Sequence, residues 1–275
     1  MNKLIAFMLL SSSLVVGCAS WVSPGAARQV GSVVDYLYPD AKEAPKMALE
    51  TTYLRPPVRV GLAFVPSVGA SGNLSEVEKT KLLERLKASF RKHEFIGEIE
   101  VIPSSYLRAR GGFNNLEQAA RMFNVEVMAL VSYDQVQFND TNALAVLYWT
   151  IVGAYVIHGD RYDIQTLVDA SVFDVNTKKL LFRAPGQSQV KGSASMSGFN
   201  EKSRDARSEG YNLAVDDLIP QLQSSLDGFK ERLKTDKTIK IENKVGYSGG
   251  GSLGWLELLL GLSIAALGFV SRPKH

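Results

Sequence analysis

Apolar residues occupy nearly every position from 58 to 65 before Pro66, which is how a strand covered on both faces reads. Ser75 stands three residues ahead of Glu78 and predicts a helix opened by a capping box. Leu83, Leu86 and Phe90 share one stripe of that helix, with Lys79, Lys81, Glu84, Lys87 and Arg91 on the solvated side. Residues 99–102 form a second strand stopped by Pro103. Leu116, Ala119, Ala120 and Phe123 are spaced as one helical face, capped by Asn114 or Asn115 and ended by Asn124 in a left-handed turn. Residues 125–133 give a third strand. Residues 161–175 and 180–182 alternate as a hairpin turned at Asn176 and Thr177. Helical spacing returns over 201–233 through Leu213, Leu218, Leu222, Leu226, Phe229 and Leu233, with Pro220 expected to kink or break it.

This succession, β-α-β-α-β-β-β-α, predicts an α/β domain with a mixed sheet over residues 58–234. Before it, residues 18–57 hold serines, prolines and alanines and read as a tether with one ordered patch at 33–38; after it, residues 235–252 read as a linker. The order is similar to that of the amino-terminal domain of TolB and of the periplasmic part of the curli-secretion lipoprotein. That resemblance is of architecture, without a diagnostic motif, and it implies a docking or assembly module.

One stretch stands apart from these elements. Residues 143–157 carry no charge and include Leu147, Tyr148, Trp149, Ile151, Val152 and Tyr155, between Asn139-Asp140 and Gly159-Asp160-Arg161. A buried hairpin or helix explains such a run, and so does an interaction patch for a partner or a membrane surface, with Tyr148, Trp149 and Tyr155 as its candidate residues.

The two ends are apolar as well. Residues 1–17 have one charge at Lys3, an apolar core at 4–10, and then Leu14, Val15, Val16 and Gly17 before Cys18. That order resembles the lipobox of bacterial lipoproteins, which implies cleavage between Gly17 and Cys18 and acylation of Cys18; an ordinary secretory signal is the alternative. Ala19 rather than Asp follows, which resembles the pattern sorted onward to the outer membrane. Residues 253–270 are long enough to cross a bilayer as a helix, with Glu257 near one edge and Trp255 beside it. Residues 271–275 form a basic tail that the positive-inside rule keeps cytoplasmic. Gly249, Gly250, Gly251 and Ser252 precede the span, a pattern that resembles the GlyGly-CTERM sorting signal cut by rhombosortase, a rhomboid-type protease. Glycine opposes helix and removes side-chain clashes where such a protease must unwind its substrate. A permanent tail anchor is the plainer alternative. Both signals together resemble the rhombotarget lipoproteins, as do residues 32–39 and 58–66. The resemblance implies processing by lipoprotein enzymes and rhombosortase, contact with membrane lipid, and a Gram-negative cell-envelope location facing the periplasm. It implies no activity for the domain.

Composition narrows the field. A net charge of +3 over 275 residues, evenly spread, predicts no nucleic-acid partner. With one cysteine, the fold must stand on packing without an internal disulfide. His93, on the solvated side of the first helix, and His158 have no nucleophile or metal ligand placed beside them, and the serine-rich run 192–198 reads as a loop. Arg110-Gly111-Gly112 reads as turn chemistry rather than an anion cradle, and Asp160, Asp163 and Asp169 lack calcium-loop spacing. The expectation is therefore a non-enzymatic binding or assembly module with no cofactor and no metal, docking on another envelope protein or on itself. A periplasmic hydrolase using the same sorting signals is the alternative.

Overall fold

The computed structural model describes residues 26–39, 50–67, 74–141, 160–194 and 198–247. Its centre is β3 (Val58–Phe64), which runs parallel to β4 (Ile96–Val101) on one side and to β5 (Val127–Thr141) on the other. Leu62 and Phe64 point into one buried cluster while Ala63 and Val65 point into another, so the nearly continuous apolar run has a use on both faces.

β5 is far longer than the stretch β3 covers. Residues 127–131 pair with β3, and residues 133–138 pair antiparallel with β1 (Ala26–Gly31), so β1 and β3 lie end to end along one side of β5. On its other side β5 pairs antiparallel along its whole length with β6 (Asp160–Asp174), which pairs in turn with β7 (Leu180–Ala194). The result is a mixed six-stranded sheet in the order β4-β3-β5-β6-β7, with β1 continuing the line of β3. We call the end of the sheet near Val127 proximal and the end near Thr141 distal.

Helices cover both faces. α1 (Val33–Leu37) and α3 (Gly112–Met122) close one cluster with Tyr36, Leu37, Leu116, Ala119 and Ala120. α2 (Glu76–Phe90) and α4 (Phe199–Leu233) close the other. The Ser75–Glu78 capping box is present, with Ser75 Oγ accepting from the Glu78 amide and Glu78 accepting from the Ser75 amide, each at 3.2 Å. Asn124 has the left-handed φ of 50° expected at the end of α3.

Several expectations need correcting. The segment 18–57 is not only a tether, because β1, α1 and β2 (Thr52–Leu54) belong to the fold. The linker 235–252 likewise supplies β8 (Ile239–Ile241), which pairs in parallel with β2. Both pairs are held by backbone groups, so side-chain alternation gave little sign of them. β7 extends to Ala194 instead of stopping near Phe182, taking in residues read as a serine-rich loop; its inward positions Ala184, Gly186 and Ser188 are small because α4 lies on them. α3 opens at Gly112 with Gly111 as its N-cap and no side-chain cap. Asn115 is instead buried inside the helix, its Oδ1 accepting from the Arg108 amide at 2.7 Å and from the Tyr36 hydroxyl at 3.1 Å. Arg110 and Gly112 both have positive φ, as a turn requires.

α4 runs unbroken through Pro220, which lies on its exposed side. There the carbonyl that loses its partner can be served by water, so the helix tolerates the missing donor. Its buried stripe is Tyr211, Ala214, Val215, Leu218, Leu222, Leu226 and Phe229, while Leu213, expected in it, is 43% exposed. Among the described residues no helix is long and apolar enough to cross a membrane. The expected span 253–270 lies outside them.

Candidate functional surface

The distal half of the sheet is built differently from the proximal half. Along the inward side of β5, Val127, Ala129 and Val131 give way to Tyr133, Gln135 and Gln137, all buried. The amide nitrogen of Gln135 donates to Thr166 Oγ1 at 2.8 Å and to the Arg207 carbonyl at 3.0 Å. Arg207 donates back to Gln137 Oε1 at 2.8 Å, and Gln137 donates to Asn139 Oδ1 at 2.7 Å. Ser188 Oγ donates to the Gly210 carbonyl at 2.7 Å. Burial pushes the Tyr211 phenol up, the largest of several causes, and its hydroxyl donates to Gln29 Oε1 of β1 at 3.4 Å. Burial also lowers the Arg207 guanidinium, with Arg204 adding to the effect. The amino-terminal half of α4 is thus fastened to the sheet by oriented hydrogen bonds, which specify a register where apolar contacts would slide.

Outside, the same strands are wetted. Arg28 pairs with Asp134 at 2.6 Å, Gln189 donates to both Asp163 oxygens at 2.9 Å, and Arg183 pairs with Asp169 at 3.1 Å. Exposed pairs of this kind contribute little, so they keep the face soluble more than they stabilise it. Phe138, 44% exposed, and Leu167 interrupt this polar surface.

These frames support the two arms of a hairpin, β5 and β6, whose last pair is Thr141 with Asp160. Residues 142–159 join the arms, and with them come Tyr148, Trp149, Tyr155 and His158, which lie outside the described residues. Gly17, Cys18, Gly249, Gly250, Gly251 and Ser252 also lie outside them. The residues that position the arms were not anticipated. A glutamine at alternate positions after Tyr133 was the available sign, since inward polar residues on a strand need a polar partner above them.

Two other places hold groups with chemical potential. Lys79, expected on the solvated side of α2, is 6% exposed. Its Nζ lies 2.8 Å from Glu76 Oε1 and 3.1 Å from Ser104 Oγ, and the Ser104 hydroxyl also bonds Glu76. A hydroxyl beside an amine suits a nucleophile only if the amine gives up its proton. Here the Glu76 carboxylate touches both groups. Burial would raise it, but the Lys79 and Ser104 hydrogen bonds prevail and hold it below the ordinary range, so the trio fastens α2 to the 3-10 turn Ser104–Tyr106. His93 is not on a solvated helix face but half-buried in the turn after α2, between the rings of Phe90 and Phe95 at 5.8 and 5.5 Å.

At the proximal end a cavity of about 530 Å³ is lined by Glu50, Arg55, Glu126, Asp174, Asn176 and Thr177, among others. Lys244 pairs with Glu126 at 3.0 Å, and Asp174 accepts from the Thr177 amide and hydroxyl at 2.8 and 2.6 Å. Two of its carboxylates are thus engaged by the fold itself. Among the described residues no three His, Cys, Asp or Glu side chains are grouped to hold a metal.

No protein-family model and no curated protein matches the chain. Among solved structures, it is similar to a protein described as a neuraminyllactose-binding hemagglutinin homolog from Helicobacter pylori, at 6% identity and a TM-score of 0.39, over 70% of this chain and 97% of that one. It is also similar to the PelC dodecamer from Paraburkholderia phytofirmans, at 14% identity and a TM-score of 0.28, over 72% and 98%. A third is the hypothetical protein CT253 from Chlamydia trachomatis, at 13% identity and a TM-score of 0.27, over 62% and 97%. Similarity at these levels carries no property of those proteins over to this chain.

Proposed function

We propose that this chain is a bacterial envelope lipoprotein whose α/β domain is a non-enzymatic docking or assembly module. Cleavage between Gly17 and Cys18 leaves Cys18 as the acylated first residue, and a rhombosortase removes the tail near Gly249, Gly250, Gly251 and Ser252. Before that cut the protein is anchored in the inner membrane; afterwards it is carried by its acyl chains to the outer membrane or cell surface, as in the rhombotarget lipoproteins it resembles. What supports the sorting is the order Leu14-Val15-Val16-Gly17-Cys18 at one end and a glycine triplet, an apolar run and a basic stub at the other. The α/β order, similar to the TolB amino-terminal domain, accords with a docking role.

The observation that carries the docking role is the pairing of Thr141 with Asp160, which leaves a charge-free stretch containing Tyr148, Trp149 and Tyr155 between two strand ends. Tyrosine and tryptophan offer large contact area with a polar tip, which suits a surface that is alternately wet and covered. Two measurements test the reading. Cys18→Ser should abolish incorporation of radiolabelled palmitate, and label retained by that variant refutes lipidation. Crosslinking in cells followed by purification should recover an envelope partner or a second copy of this chain, and should lose it when Tyr148, Trp149 and Tyr155 are replaced by serine. Unchanged recovery from that variant refutes the docking role assigned to these residues.

A further inference from the structure

The proximal cavity holds a carboxylate whose charge the fold does not balance. The cavity lies between the β2 strand and the end of the sheet, where the register sets Val127 of β5 opposite Asp174 of β6. Asp174 is 3% exposed, and its Oδ2 takes both hydrogen bonds from Thr177. Its Oδ1 has no hydrogen-bond partner among the described residues, yet it is not sealed in protein, so it looks into the cavity that Asp174 lines. Thr177 brings an amide and a hydroxyl but no positive charge, whereas buried charges are ordinarily paired. Glu50, exposed at the same cavity, has no partner among the described residues either.

The cations nearby are engaged elsewhere. Arg55 pairs with Glu242 at 3.5 Å, Lys244 with Glu126 at 3.0 Å and Lys178 with Glu117 at 3.0 Å. Lys179 donates to the Thr238 hydroxyl, and Lys240 lies over the Tyr53 ring at 5.8 Å. Lys237, exposed ahead of β8, is not among the cavity walls.

We infer that this cavity binds a linear polyamine, with one ammonium on Asp174 Oδ1 and a second on Glu50. The inference goes beyond the sorting and docking reading and does not depend on it. Leu54, Val58 and Val127 supply an apolar wall for the methylene stem between the charges. A volume of about 530 Å³ is in the range of small-molecule sites. A metal ion asks for several ligands around one point, and among the described residues no three His, Cys, Asp or Glu side chains are so grouped. Separate carboxylates suit a cation whose charges are strung along a chain. The protein as a whole carries +3, so general attraction does not gather polyamine on it and binding has to come from a local arrangement.

Calorimetric titration of spermidine into the full chain, purified in a neutral detergent, tests the site. The expected result is saturation at one molecule per chain, with affinity about threefold lower in Glu50→Gln, an exposed contact. Asp174→Asn, whose side-chain carbonyl still accepts from Thr177, should bind about tenfold more weakly or less, because its contact is buried. Butylamine, with a single charge, should bind more weakly than spermidine, and magnesium at matched ionic strength should not displace the polyamine. Absence of saturable binding, an affinity unchanged in either variant, equal affinity for butylamine, or displacement by magnesium overturns the site. Glu50→Gln changes no buried group, so it decides the matter even if Asp174→Asn fails to fold. None of these outcomes bears on lipidation or tail removal.

Discussion

A β-carbon on Gly210 would lie 2.6 Å from Thr166 Oγ1, closer than real β-carbons approach anything. The absence of a side chain at that point lets α4 come near enough for Gln135 and Ser188 to reach its carbonyl groups. Gly210→Ala should therefore lower stability by roughly 1–3 kcal/mol, the usual effect of overpacking. Gly228, on the same helix, has nothing within 4 Å of such a carbon, so Gly228→Ala should raise stability by about 0.5–1 kcal/mol through helix propensity. Thermal unfolding of both full-length variants checks the pair. Equal shifts would mean that α4 does not rest on the sheet as described.

The buried ammonium of Lys79 depends on Glu76 for its counter-charge. Glu76→Ala should destabilise the protein by leaving that charge unpaired, whereas Lys79→Met removes the charge itself and should cost less, under about 1.5 kcal/mol. Denaturant midpoints of the two variants give the comparison. A larger loss in Lys79→Met would show that the pair contributes through attraction rather than through avoided desolvation.

Burial between Phe90 and Phe95, with Lys230 and Lys92 nearby and Asp227 opposing them, holds His93 below its ordinary value of 6.5. The unfolded chain then binds a proton more readily than the folded one, so stability is complete above about pH 6.5 and falls as the pH drops through that value. The melting temperature should decline between about pH 7.5 and 5 more in the native protein than in His93→Phe. Parallel declines would show that other groups govern this range.

Replacing Gly249, Gly250 and Gly251 with leucine should block removal of the tail, because leucine favours the helix that a rhomboid-type protease must open. Mass spectrometry of the product from cells carrying rhombosortase reads this directly. A product of unchanged size in the variant counts against processing at this site.

Much of the parallel half of the fold was legible in the chain. Residues 58–65 are apolar at every position but Arg59 because β3 has a neighbour on each edge and a helix layer over each face. The Ser75–Glu78 box and the left-handed Asn124 are local devices whose partners lie within a few residues, so their chemistry reads directly from spacing. Gln29, Gln135, Gln137 and Lys79 were not legible as interior groups, since each is buried where a residue distant in sequence, Tyr211, Thr166, Arg207 or Ser104, supplies a bond. β1, β2 and β8 were hidden for a related reason: their pairing lies in backbone groups that every sequence carries.

The sequence by itself determined where apolar matter lies along the polymer: in the core strands and helix stripes, in residues 143–157, and at the two termini. Periodicity and length are one-dimensional properties, and they need no knowledge of neighbours. The tertiary structure decided where the described chain enters and leaves the sheet. Pairing β1 against the outer half of β5 brings the entry of the chain beside the distal hairpin, and pairing β8 with β2 sends its exit the other way. The apolar pattern of these strands carries no record of that choice, because it is made by contacts between residues more than a hundred positions apart.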